Sequence, residues 1–393
     1  MDSLSDAAIL ADTAVFLGRG TVNQKMQLRK FLVAQPSFIT PSSLIPIEEL
    51  TTRLDIIEDI RTFWEQCKSE DEDRPKAFHL SYIQVSTLLL MPLNALQGLR
   101  GQILSIEKVL NPPDIMEMLS LMVQGKLPAP TAGTKRARSK GTSEGSANSA
   151  KSSYRNTRER EKCCLRDQKA CILTKAASPQ ACHVIPYAVT ANHTNIDAYM
   201  KNNVVQGLLG NPGEQIARII KKGSLSSLDK SWNMICLHPT LHTWWSQCLF
   251  SLKCLGLIPQ GDGRSTRVQI QFYWMPRNGI NPHELVKPPY ETAISEMLQT
   301  VTLQHGGGIG IVADVQRDSF HALETGQTFD IVADNEDAVK LKEALDVQWA
   351  IVRLAAMSGA AGVLALEDNS DKDDDAMVTE WLEKTASAQS SSR

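Results

Sequence analysis

The chain has 393 residues, a formal net charge of −3, 42% hydrophobic residues and 22% charged residues. This length suffices for two domains, or for one domain with long flexible ends, and the apolar content supports a real core. The total charge points to no particular partner. The N-terminus lacks a basic start followed by a long apolar run, and no stretch approaches the ~20 apolar residues of a membrane helix. We therefore expect a nuclear or cytoplasmic protein that is neither secreted nor embedded in a membrane.

Residues 1–124 are predicted to form a helical N-terminal region. Ser43 is a possible N-cap, and the following segment has apolar residues at helical spacing: Leu50, Leu54, Ile57, Ile60 and Trp64. Further helices are predicted at about 81–90 and 93–109, with a break or kink at Pro92.

Residues 125–155 are predicted to be a disordered basic linker, because they contain almost no apolar side chains. The short motif KRARSK within it fits a nuclear localisation patch and, equally well, a solvated basic linker. Its four cations are candidate phosphate contacts, and they are Lys135, Arg136, Arg138 and Lys140. Between residues 135 and 169 there are eleven Lys and Arg against four Asp and Glu.

Residues 156–290 hold seven of the eight cysteines and most of the chemistry. The segments ACHVIPY, NMICL, LFSLKCL and RVQIQFYWMPR are predicted strands, PTLHTWWSQ is a predicted helix, and 191–230 is a partly helical insertion. Residues 291–362 form a predicted C-terminal extension with a long helix over 337–358 that stops at Gly359. Residues 363–393 are acidic and Ser-rich, and are predicted to be a disordered tail.

Three polar residues in this region could form a compact site. His183 lies in a predicted strand, Asn233 lies at the entry to the strand 234–237, and His242 lies one turn into the helix that Pro239 begins. An Asn at a strand entry can hold a loop through side-chain hydrogen bonds to the backbone. A strand-loop-strand-helix unit with His, Asn and His at these points makes a small metal site suited to a protruding phosphate backbone.

Read together, the segments RDQKACILT, ACHVIPY, NMICLHPTLHTWW and VQIQFYWMPR resemble the HNH endonuclease superfamily and its ββα-metal (His-Me finger) fold. They are most similar to the second HNH subfamily, which fungal proteins carry. The similarity covers about residues 154–362. It implies an α+β protein: an HNH core with a helical N-terminal region, a C-terminal helix, and a disordered linker and tail.

The resemblance also implies roles for the site residues. His183 would be the general base that activates water, Asn233 would orient its loop, and His242 would bind one divalent metal ion, Mg²⁺, Mn²⁺ or Zn²⁺. Cys182 and Ser246 occupy positions where relatives can also bind the metal. A thiolate favours zinc or softer ions over Mg²⁺, and a serine hydroxyl is a weak ligand.

The expected function is hydrolysis of nucleic acid phosphodiester bonds, with DNA a better expectation than RNA. Because of Cys182 and Ser246, the sequence leaves open whether the protein is an enzyme. The main alternative is a catalytically degenerate nuclear protein that keeps the fold to bind nucleic acid or a protein partner. A third reading is an interaction protein in which the core is a metal-stabilised scaffold. The chain has no C-x-x-C pair, so free buried thiols are favoured over a structural zinc at Cys163, Cys164, Cys171 and Cys182. The sequence leaves the oligomeric state open.

Overall fold

The structure is a computed structural model that describes residues 5–67, 79–124, 156–222, 225–276, 279–305 and 321–368. Within these ranges the chain mixes many helices with small antiparallel sheets, which confirms the predicted combination of helix and strand. The predicted linker at 125–155 lies outside the described residues, and so do residues 369–393 of the predicted tail. No helix in the described part is long and apolar enough to cross a membrane.

Two helices that no single motif predicts begin the helical N-terminal region. Helix α1 spans Asp6–Arg19 and α2 spans Val22–Val33. Ser5 caps α1 by accepting a hydrogen bond from the Ala8 backbone, and a capping box between Thr21 and Gln24 begins α2. No side chain of α2 is buried, so local capping rather than core packing defines its start.

The predicted helical region is present, with two corrections. Helix α3 spans Leu50–Cys67 after a 3₁₀ turn at Ile47–Glu49, so it does not begin at Ser43, whose hydroxyl accepts instead from the Ile45 backbone. The helix predicted over 93–109 is two helices, α5 at Leu93–Gly98 and α6 at Ile103–Val109. They are separated where Gly101 has a φ of 71°. Between α3 and α5 lies α4 at Tyr82–Leu90, and after α6 lies α7 at Pro112–Leu119.

The central region starts with helix α8 at Thr157–Arg166, followed by strand β2 at Gln180–His183. The predicted insertion is largely helical, with α9 at His193–Lys201 and α10 at Asn203–Lys222. Strand β3 at Met234–Leu237 then pairs antiparallel with β2, and α11 follows at Pro239–Ser246. The predicted order of strand, insertion, strand and helix is therefore observed.

A second sheet lies beyond α11. Strands β4 at Phe250–Pro259, β5 at Ser265–Trp274 and β7 at Thr328–Asp334 form it in the order β4-β5-β7, all antiparallel. Two short strands, β1 at Leu80–Ser81 and β6 at Leu285–Val286, pair separately, and α12 at Tyr290–His305 follows β6.

The long C-terminal helix is α13, Asn335–Met357, and fourteen of its residues are buried. It ends where Gly359 takes a φ of 80°, as the sequence indicates. Helix α14 continues over Ala360–Asp368, so residues 363–368 of the predicted tail are helical.

One hydrophobic cluster joins these parts. It contains side chains from α3 and α4, from both strands of the β2–β3 hairpin, from β4 and β5, and from α13. Helix α13 packs against β4, β5, α10 and α4, and therefore lies at its centre. The boundaries predicted for separate domains stay predictions, since the core runs across them.

Candidate functional site

Asn233 anchors the loop that follows His183. The backbone carbonyl of Asn233 accepts from the Val184 N–H at 2.8 Å. Its side-chain Oδ1 accepts from the Ile185 N–H at 3.0 Å, and Nδ2 donates to the carbonyls of Ile185 at 2.8 Å and Leu228 at 3.0 Å. The side chain is fully buried, so water cannot reach it. These hydrogen bonds therefore satisfy polar groups that would otherwise be unpaired. Asn233 thereby fixes the backbone directly after His183, the loop-holding contact that its position at the strand entry suggested.

His183 is held by a carboxylate that the sequence analysis did not identify. Its Nε2 lies 3.0 Å from Oδ1 of Asp229, and the two side chains are 13% and 4% exposed. Asp229 Oδ2 accepts from the Asn156 backbone at 2.7 Å. An ionised carboxylate can only accept, so it selects the tautomer in which Nε2 carries the proton and Nδ1 carries the lone pair. The pair gives His183 a fixed ring orientation and a basic nitrogen.

His242 lies on α11, facing strand β2. Pro239 occupies the first helical position, as the sequence indicates, and His238 occupies the N-cap position. The Nδ1 of His242 lies 2.7 Å from Oε1 of Gln180, the first residue of β2. A histidine that binds a metal commonly donates its second ring N–H to such an oxygen, which places the lone pair on Nε2. Gln180 therefore orients His242 in the way a metal ligand needs.

Cys182 shares a strand face with Gln180, because alternate residues of β2 point to the same side. Its thiol donates to the Gln180 carbonyl at 3.3 Å, and only 1% of the residue is exposed. Burial raises the pKa of the Cys182 thiol well above its ordinary value, so the thiol is neutral near pH 7. The ring of His183, the next residue, contacts Asp229.

Ser246 is exposed, and its hydroxyl donates to the Thr243 carbonyl within the same helix at 2.8 Å. The predicted donors are the imidazole of His242, a buried thiol and an exposed hydroxyl, and an imidazole suits zinc and other transition metals better than Mg²⁺. They do not form a complete protein cage for such an ion.

The four candidate phosphate contacts, Lys135, Arg136, Arg138 and Lys140, lie outside the described residues. Of the basic stretch to Lys169, the structure describes residues 156–169, in which Arg158, Lys162 and Lys169 are exposed.

Sequence reasoning missed Asp229 and Gln180. Asp229 precedes Asn233 by four residues in the segment LDKSWN, and Gln180 precedes His183 by three. Neither residue belongs to a recognisable sequence motif, because each acts through a contact that forms only in the folded chain. An acidic residue close before the Asn was the one available signal.

Comparison with known proteins adds a family match. A family model described as HNH endonuclease matches residues 171–253, which run from just before β2 into β4. The range includes His183, Asp229, Asn233 and His242, and it excludes α8. No curated protein and no solved structure matches the chain.

Proposed function

The chain carries an HNH endonuclease domain at residues 171–253, and from that premise we propose that it hydrolyses phosphodiester bonds of nucleic acid with one divalent metal ion. The observation that carries the proposal is the His183–Asp229 hydrogen bond next to the loop that Asn233 holds. The β2–β3 hairpin followed by α11 would be the ββα-metal core.

His183 is the proposed general base. With Nε2 hydrogen-bonded to Asp229, its Nδ1 can take a proton from a water that attacks the phosphorus. The carboxylate of Asp229 holds the ring in place, and it stabilises the imidazolium that forms when His183 takes the proton. Asn233 acts as a positioning residue, because its hydrogen bonds fix Ile185 and through it the chain after His183.

His242 is the proposed metal ligand, with Gln180 as the acceptor that sets its tautomer. The cation, when bound, would neutralise charge that develops on the phosphate and on the leaving oxygen. Cys182, as a neutral buried thiol, contributes packing in this proposal.

A nucleic acid partner follows from the proposed reaction, with DNA the first substrate to test. Nuclear location is a proposal that depends on the KRARSK motif alone. A second candidate function is nucleic acid binding without cleavage. It is favoured by one observation: the Cys182 thiol and the Ser246 hydroxyl each donate to a backbone carbonyl.

The test compares wild type with His183→Ala on supercoiled plasmid and on single-stranded RNA, with Mg²⁺, Mn²⁺, Ni²⁺ or Zn²⁺ added in turn. We expect metal-dependent cutting that falls by about 100-fold or more in the variant, which is the usual contribution of a general base. His193→Ala is the matched control, because His193 is exposed at the start of α9, and it should cut like wild type.

Cutting that survives His183→Ala would reject His183 as the base. No cutting by wild type with any of the metals, together with retained binding of the plasmid, would favour the non-cleaving alternative.

A further inference from the structure

A cluster of thiols and one carboxylate lies between α8 and the β2–β3 hairpin, apart from the proposed catalytic residues. Cys163 Sγ lies 3.8 Å from Cys236 Sγ and 3.7 Å from Asp167 Oδ2. Cys164 Sγ lies 3.7 Å from Cys236 Sγ. Cys163, Asp167 and Cys236 each present a ligand atom within 4.8 Å of the other two. Residues far apart in the chain thus converge. Cys163, Cys164 and Asp167 lie at the C-terminal end of α8, and Cys236 lies in β3.

Two sulfur–sulfur separations in this cluster match the edges of a tetrahedral metal site. A regular tetrahedron with zinc–sulfur bonds of about 2.3 Å has sulfur–sulfur edges of about 3.8 Å. The observed separations of 3.8 Å and 3.7 Å are edges of that size. Cys163, Asp167 and Cys236 have ligand atoms that all lie within 4.8 Å of one another, whereas Cys164 is outside that group and would move towards it to complete the tetrahedron.

The carboxylate of Asp167 is already oriented towards the cluster. Its side chain is 1% exposed, and Arg166 holds both oxygens, at 2.7 Å to Oδ1 and 2.9 Å to Oδ2. The Cys236 N–H donates to Oδ2 at 2.8 Å. Supporting hydrogen bonds of this kind fix the direction of a metal-binding carboxylate. The Arg166 guanidinium would also offset part of the negative charge that several thiolates bring together.

The cysteines of the cluster differ in their exposure to solvent, so that a metal ion could enter from one side. Cys163 and Cys236 are 0% exposed, which protects them from oxidation and keeps the site dry. Cys164 is half-buried at the outer edge. It lies on the approach from solvent and is the candidate for a fourth ligand.

We propose that Cys163, Cys236, Cys164 and Asp167 bind one thiophilic divalent cation of the zinc class, which fastens α8 to the hairpin. Three sulfurs and one oxygen suit zinc, and exclude Mg²⁺ and Ca²⁺. On binding, each thiol becomes a thiolate and its proton leaves to solvent, without a change of oxidation state. The site lies mostly outside the matched HNH range, and it does not depend on nuclease activity.

The location gives this metal a structural role. Arg166 donates to the carbonyls of Ser231 at 3.0 Å and Met234 at 2.7 Å, which flank Asn233. A cation that locks α8 against β3 would therefore stabilise the segment that carries Asn233. Spacing along the chain favours free thiols, because Cys236 is 72 residues from Cys164 and forms no short ligand motif with it.

The test is made on the full chain, purified without a metal-binding tag. Metal content is measured on the purified protein, and Co²⁺ is then titrated into protein stripped of metal. We expect one zinc per chain and a Co²⁺ spectrum with thiolate charge-transfer and tetrahedral visible bands. Cys164→Ser should fold, since the residue is at the outer edge, and should lower the charge-transfer intensity by about one third, from three thiolates to two. Cys163→Ser and Cys236→Ser should lose the zinc.

Cys254→Ser is the control, because Cys254 is a partly buried free thiol on β4, away from the cluster. It should keep the zinc and the full Co²⁺ spectrum. Absence of zinc in wild type, together with no thiolate band on adding Co²⁺, would overturn the proposal. So would a Cys163–Cys236 disulfide, seen in the intact mass as the loss of two hydrogens. A Cys164→Ser spectrum equal to wild type would remove Cys164 from the ligand set.

Discussion

At the scale of single residues, the proposed base depends on a partner distant in sequence. His183 and Asp229 are 46 residues apart and meet at 3.0 Å, with both side chains largely shielded from solvent. Because the carboxylate can only accept, it decides which ring nitrogen carries the proton. The same residue also receives the Asn156 N–H, so Asp229 links the start of α8 to the proposed site.

Asp229→Asn should lower the rate of metal-dependent cutting by about 10- to 100-fold, because a neutral amide stabilises the imidazolium less and can present its NH₂ to the ring. The measurement is kcat on a short duplex at saturating metal, with thermal unfolding as the check on folding. Asp197→Asn is the matched control, since Asp197 is on the exposed side of α9. A rate equal to wild type in Asp229→Asn would show that Asp229 does not assist the base.

At the scale of elements, the helix ends follow local rules. Pro239 begins α11, and Gly359 separates α13 from α14 with a φ of 80°. A left-handed residue costs a non-glycine side chain about 1–2 kcal/mol. Gly98 has no such role. It ends α5, and a Cβ atom added there would meet open space.

Gly359→Ala and Gly98→Ala should therefore have opposite effects on the free energy of unfolding. Gly359→Ala should destabilise by about 1 kcal/mol or more, because the left-handed turn strains an alanine. Gly98→Ala should stabilise by up to about 1 kcal/mol, because alanine loses less backbone entropy. Urea unfolding followed by circular dichroism measures both. A loss of stability in Gly98→Ala as large as in Gly359→Ala would contradict the assignment of the turn.

At the scale of the whole molecule, charge is distributed unevenly along a nearly neutral chain. The stretch from residue 135 to 169 has eleven cations, and residues 367–375 have six acidic residues and one Lys. Nucleic acid affinity gained through phosphate contacts falls with salt, in proportion to the number of contacts. A local basic segment can therefore determine the affinity for nucleic acid, although the total charge of the chain does not.

Replacing Lys135, Arg136, Arg138 and Lys140 with Ala should weaken plasmid binding. It should also flatten the slope of log K against log salt by up to about 3.6 for duplex DNA, because up to four phosphate contacts are lost. Titrations by fluorescence anisotropy at several salt concentrations measure the slope. A control chain changes four cations of the N-terminal helices instead: Arg19, Lys25, Arg29 and Lys30. If both chains show the same slope as wild type, the linker does not contact phosphate.

The sequence by itself determined the elements that local chemistry controls. Apolar periodicity predicted α13 and β5, Pro239 predicted the start of α11, and the order of ACHVIPY and NMICLHPTLH predicted the hairpin and helix that the HNH match now covers. Only the tertiary structure decided which side chains meet. The pairing of His183 with Asp229, of His242 with Gln180, and of Cys236 with Cys163 joins residues 46 to 73 positions apart. Such contacts depend on strand register and on how α8 and α11 pack against the hairpin, and no local periodicity encodes either.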